Sequence, residues 1–134
     1  MHERTVRDAF PELAAIADED LRAGVVDAWA TAMADQHIDD LGAVPWFPPA
    51  QRDLGLDDEY LVDHVRDVTA CALSLAETVL EHRDVDLSLD TVVAGALVHD
   101  VSKLAEFDGM AETPVGDLLG HPHYGVHLVA RAGL

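Results

Sequence analysis

The sequence predicts an all-α fold, and three observations carry that expectation. Its longest patterned segments repeat apolar residues at helical spacing, Ser and Asp stand where helices need caps, and no stretch alternates with period two. A first helix is expected from Asp18 or Asp20, either of which can cap it, with Leu21, Val25, Ala28, Trp29, Ala32 and Met33 as one apolar stripe. Residues 41–56 (LGAVPWFPPAQRDLGL) hold three prolines and two glycines and predict an irregular connector, pinned to the core by Trp46 and Phe47.

A second helix is expected from Asp57 or Asp58 to about His82. Its stripe of Leu61, Val65, Val68, Ala72, Leu75, Ala76 and Val79 keeps helical register over about six turns. A break at Arg83–Asp86 follows, and Ser88 or Asp90 can cap a third helix from Thr91 to about Lys103. That helix is apolar nearly all round (VVAGALV), the pattern of a central buried helix. A loop rich in Gly, Pro and Asp leads to Gly120. There Pro122 suits the first position of a last helix, His121 its N-cap and Gly133 its C-terminal end. The expected organisation is one domain, with residues 1–56 as an N-terminal helical region and connector packed on a core of residues 57–134.

Composition narrows the class. With 49% apolar and 25% charged residues, the chain is globular rather than disordered. The N-terminal MHERTVRD does not resemble an export signal, and the longest apolar run, Val92–Val98, is too short to span a bilayer, so a soluble cytoplasmic protein is expected. One cysteine, Cys71, excludes an internal disulfide and a cysteine zinc cage. The charge is extreme: 26 acidic against 8 basic residues, formally −18, with Lys103 the single lysine. Such a surface repels itself and nucleic acid in ordinary salt, and screening relieves this at molar salt, where the Debye length is about 3 Å. The expectation is a protein adapted to a high-salt cytoplasm.

The chemistry concentrates in a few positions. His64 lies on the stripe of the second helix, where a histidine is either a satisfied core residue or a ligand. His99 and Asp100 end the buried run VVAGALV, and a carboxylate there is costly unless it is paired or bound to metal. Lys103, one turn on, could supply the pair, which leaves a structural Asp–Lys contact as the plain alternative. His123 and His127 are one turn apart on the last helix, a chelating spacing without a partner motif, and His2, His37 and His82 look incidental.

Together, His64 in EYLVDHVRDV and His99-Asp100 in ALVHDVSKL resemble the HD superfamily of metal-dependent phosphohydrolases. In that family the HD pair is often followed by a glycine and a lysine; here Ser102 replaces the glycine and Lys103 is kept. The stretch DLLGHPHYGVHLV resembles the segment in which some members, including 3′-to-5′ exoribonucleases and cyclic-dinucleotide phosphodiesterases, place a histidine that binds a second metal. That histidine corresponds to His121. The resemblance covers roughly residues 58–132.

It implies an HD-type helical bundle with one or two divalent ions (Mn, Fe, Ni, Co, Zn or Mg) held by His64, His99, Asp100 and His121, with Asp100 bridging. Asp100 and Lys103 would be the catalytic pair, Lys103 as a point charge on a phosphate, and Asp63 or Asp67 could orient an imidazole. Family members also draw an aspartate from a later helix. No aspartate follows Asp117 here, so the expectation is a domain truncated before its last helices or a degenerate one, with Asp108 or Asp117 as substitutes. The implied function is hydrolysis of a phosphomonoester or phosphodiester, a nucleotide or nucleic-acid end. The alternatives are a regulatory module that binds metal or nucleotide and a helical interaction domain with structural histidines.

Overall fold

The computed structural model describes residues 1–108 and 111–134, with all their side chains but that of Pro49. The chain is predominantly all-α. Its helices are α1 (His2–Ala9), α2 (Glu19–Asp35), α3 (Pro48–Leu54), α4 (Leu61–His82), α5 (Leu89–Val98), α6 (Lys103–Glu106), α7 (Pro114–Leu118) and α8 (Gly120–Arg131). Short 3₁₀ turns occupy Pro11–Ala15 and Leu41–Ala43, and a two-residue hairpin pairs β1 (Phe107–Asp108) with β2 (Ala111–Glu112).

Helix α2 begins where its cap predicts, with the Asp18 side chain accepting from the Leu21 N–H at 2.9 Å. Its stripe is buried from Val25 to Met33 and packs on α1, α5 and α8. Trp29 is fully buried, tilted against Phe10, and its Nε1–H donates 2.9 Å to the Leu97 carbonyl of α5. One hydrophobic cluster runs from Val6 and Phe10 through α2, α4 and α5 to Leu128 of α8.

Helix α4 starts at Leu61, later than Asp57 or Asp58. The Trp46 N–H donates to the Glu59 carbonyl at 3.0 Å and the Leu61 N–H to the Val44 carbonyl at 2.9 Å. Residues 59–61 are thus held extended against the connector, and helical bonding begins once the chain leaves that bridge. The buried side of α4 is Leu61, Val62, Val65, Thr69 and Ala76, while Leu75 is 66% exposed and leaves the expected stripe. The connector is more regular than expected. Pro48 opens α3, where its missing N–H costs nothing, and Gly55 closes it in the left-handed conformation (φ 67°).

Ser88 caps α5, which ends at Val98 rather than near Lys103. Beyond it the chain tightens into i→i−3 bonds, Val101 to Val98, Lys103 to Asp100 and Ala105 to Ser102, before the short α6. Helix α5 is not buried all round, because Thr91 and Gly95 face solvent. The last helix starts at Gly120, so neither His121 nor Pro122 holds its expected capping position. Pro122 falls within the first turn, where its N–H would have no partner anyway. Gly133 follows the C-cap with φ 77°, as its position predicts. Among the described residues, no helix is long and apolar enough to cross a membrane.

Candidate metal centre

The tight turn after α5 sends the Asp100 side chain inward, where it is only 4% exposed. Three imidazoles meet it. His64, one turn into α4, brings Nε2 to 3.2 Å from Asp100 Oδ2, and His99 brings Nε2 to 3.2 Å from the same oxygen. His121, in the first turn of α8, places Nε2 3.5 Å from the other oxygen, Oδ1. The four residues expected from sequence as metal ligands therefore come together. The ligating atoms of His64, His99 and Asp100 all lie within 4.8 Å of one another, a group that could hold a metal ion. His121 stands outside that group, on the far oxygen of the shared carboxylate.

The protonation chemistry of this cluster is informative. His99 Nδ1 is 2.6 Å from the Ala96 carbonyl, which can only accept, so Nδ1 carries the ring proton. In a neutral His99 the other nitrogen then offers a lone pair to an ionised carboxylate, a repulsive contact. Either a second proton or a cation must lie between them. Hydrogen bonding to Asp100 raises the His99 pKa, with the Ala96 carbonyl contributing and burial opposing. Burial lowers that of His64, against the attraction of Asp100, which favours the neutral ring a metal requires. For Asp100 burial pushes upward, but the hydrogen bond from His99 and the charges of His99, Lys103 and His121 outweigh it and hold its pKa below the usual value.

The neighbours of these rings were not all foreseen. Trp46 lies flat on His64, with ring centroids 4.3 Å apart and planes at 18°, so the connector braces a ligand candidate as well as the core. Phe47, 40% exposed, and Phe107 flank Lys103, whose ammonium sits 4.8 and 5.9 Å from their ring centres. Among the described residues Lys103 forms no ion pair within 4.0 Å, so in place of the alternative Asp100–Lys103 pair its ammonium lies in an aromatic cradle. Lys103, Phe107 and Leu104 also line a cleft of about 600 Å³ shared with residues 35–40 and the connector, and among the described residues its lining includes none of the four ligand candidates.

Asp63 and Asp67 are exposed and flank Arg66, which Glu12 binds at 2.9 Å; neither aspartate approaches an imidazole within 4.0 Å. Asp108 and Asp117 are likewise exposed and approach none of the histidines. The second carboxylate at the centre is Glu106, which sequence reasoning passed over. It is buried, and its Oε2 lies 2.8 Å from His121 Nδ1. Its only signal in the sequence was an acid flanked by apolar residues in LAEF, six residues after Asp100. His123 and His127 are exposed on α8 and join no such group.

Comparison with protein-family models, with curated proteins and with solved structures gave no match. The functional reading therefore rests on the site itself.

Proposed function

We propose that this chain is an HD-type metal-dependent phosphohydrolase acting on a phosphomonoester or phosphodiester. One observation carries the reading: two imidazole Nε2 atoms, one from α4 and one from the turn after α5, converge at 3.2 Å on one oxygen of a buried carboxylate. A neutral-imidazole and carboxylate donor set of this kind suits Mn, Fe, Co, Ni or Zn. The chain order His64, His99-Asp100, His121 supports the family assignment, as does the lysine three residues beyond Asp100. A divalent ion bound here would supply Lewis acidity toward a phosphoryl oxygen and would acidify water.

The chain's own residues would hold and orient the reactants. His64, His99 and Asp100 would provide three donors. The Ala96 carbonyl fixes the His99 ring with its Nε2 turned inward, and Trp46 covers one face of His64. Lys103, held between two aromatic rings at the cleft, offers its ammonium to a substrate phosphate. The aromatic edges there suit a flat organic group on the ester, consistent with a nucleotide.

Metal content measured by mass spectrometry on chelator-free protein, followed by turnover of a generic phosphomonoester and diester, tests the reading. About one tightly held transition metal per chain is expected. His99→Ala and Asp100→Ala should abolish it, weakening affinity by well over the roughly 10–100-fold typical of losing an outer partner, with helical content retained. Protein that stays metal-free after incubation with Mn, Ni and Zn would sink the proposal. Metal without turnover would favour the regulatory alternative.

A further inference from the structure

His121 is gripped at two points by residues of the turn it faces. The Ser102 side chain, completely buried, donates from Oγ to the His121 carbonyl at 2.5 Å. The Glu106 carboxylate stands 2.8 Å from the Nδ1 atom of the ring. The two grips are linked, because the Glu106 N–H donates to the Ser102 carbonyl at 3.1 Å.

Glu106 is itself locked. Its carbonyl accepts from the Thr113 N–H at 2.8 Å and from Thr113 Oγ1 at 3.0 Å. Gly116 packs so closely that a Cβ there would overlap the Glu106 carbonyl and come within 2.8 Å of its Cγ. Gly125 is similarly tight, where a Cβ would sit 3.3 Å from Ser102 Oγ. Two glycines, one beside each grip, thus allow the close approach.

The carboxylate's chemistry gives the contact a direction. Glu106 Oε2 is buried without a hydrogen bond of good geometry, because the His121 N–H axis points off it. An unsatisfied buried carboxylate oxygen costs more than an unsatisfied neutral group. The terminal torsion of glutamate is broad and soft, so rotation about it can bring the two into line. A proton on Nδ1 is then fixed by Glu106, and Nε2 is turned toward Asp100 Oδ1.

We propose that Ser102 and Glu106 form a two-point clamp on His121, Ser102 holding its backbone and Glu106 its ring, so that Nε2 is presented beside the free oxygen of Asp100. Both are positioning residues. The Ser102 hydroxyl ties the turn after α5 to α8. The clamp's use in holding a second cation rests on the metal-site reading above, whereas the clamp itself is a property of the metal-free chain.

The test begins with that metal-free chain, ¹⁵N-labelled, read by imidazole NMR together with circular dichroism. In the wild type, His121 Nδ1 should carry a proton protected from solvent exchange. In Glu106→Ala that proton should exchange at least about tenfold faster with helical content unchanged. Glu106→Gln, isosteric and still an acceptor, should be intermediate, and it serves as the test if the alanine variant does not fold. A freely exchanging Nδ1 in the wild type, or wild-type protection in E106Q and E106A, would overturn the clamp.

Titration with Mn²⁺ adds the functional arm. Glu106→Ala and Ser102→Ala should weaken the second ion by about 10–100-fold and leave the first within about twofold. Equal weakening of both ions would overturn the assignment to His121. A wild type that takes up no Mn²⁺ would reject the metal reading, while the imidazole spectra still decide the clamp.

Discussion

Asp100 gathers three imidazoles because the chain turns sharply just after Val98, and each ring is then braced by something other than Asp100. The Ala96 carbonyl braces His99, Glu106 faces His121, and Trp46 lies on His64. His64 is the one held by stacking rather than by a polar partner, which makes Trp46 a sensitive position. Trp46→Leu keeps an apolar side chain but removes the flat contact, worth about 0.5–1.5 kcal/mol for aromatic pairs. Metal affinity should fall about 2–10-fold by competition titration, with little change in helical content. Unchanged affinity would mean that the His64 ring is fixed by Asp100 alone. Three of the ligand candidates stood out in the sequence, two adjacent at the end of an apolar run and a third on an apolar face, whereas His121 and the reading of all four as ligands came from the family resemblance. Their braces were not legible: Trp46 and Glu106 reach the rings, and Ser102 the His121 backbone, across turns, and spacing along the chain says nothing about such contacts.

At the scale of elements, the helices with strong caps and long stripes were readable, and those whose ends depend on tertiary contacts were displaced. Helices α2 and α5 begin at Asp18 and Ser88, whose side chains bond their own helix. Helix α4 begins late because a bridge to the connector competes for residues 59–61, and α1 and α3 are too short to announce themselves. Asp90 shows how two helices are joined at their N-termini. From the first turn of α5, its carboxylate accepts from the Ala17 N–H at 3.0 Å and the Asp18 N–H at 2.8 Å, at the entrance to α2. Those two backbone bonds lower its pKa below that of an ordinary aspartate. A carboxyl depressed in the folded state contributes stability that is fully present above its unfolded pKa and is lost as the pH falls through the folded value. Asp90→Ala should therefore melt at a lower temperature than the wild type at neutral pH. The gap should hold down to about pH 5 and close below the ordinary carboxylate range, as thermal melts across that span would show. A gap that persists undiminished at the acid end would mean that the residue acts through packing and not through its charge.

Over the whole molecule the charge pattern sets the terms on which this fold persists. The formal charge of −18 is spread over 134 residues, and six of the eight cations are committed locally: Arg4 to Asp8, Arg22 beside Glu19, Arg52 beside Asp53, Arg66 to Glu12, Arg131 to Asp35, and Lys103 between aromatic rings. Most aspartates thus face solvent without a cation, and their mutual repulsion opposes the compact state. The apolar cluster that resists this repulsion is built mainly from small aliphatic side chains, with Trp29 and Phe10 the largest fully buried ones. Raising the salt from about 0.1 M to 1 M shortens the Debye length from about 10 Å to about 3 Å, below the spacing of most surface charges. Thermal stability should therefore climb steeply over that range, by about 3–5 °C for each kcal/mol of repulsion removed in a chain of this size. Chloride salts of sodium and potassium should act alike, because screening depends on ionic strength rather than on ion identity. Sulfate compared at equal ionic strength separates this from strengthened apolar burial, since an excluded anion adds stability beyond screening. A melting temperature that is flat in chloride and rises in sulfate alone would show that the core, and not the charge, limits this protein, and the high-salt reading of its surface would fall.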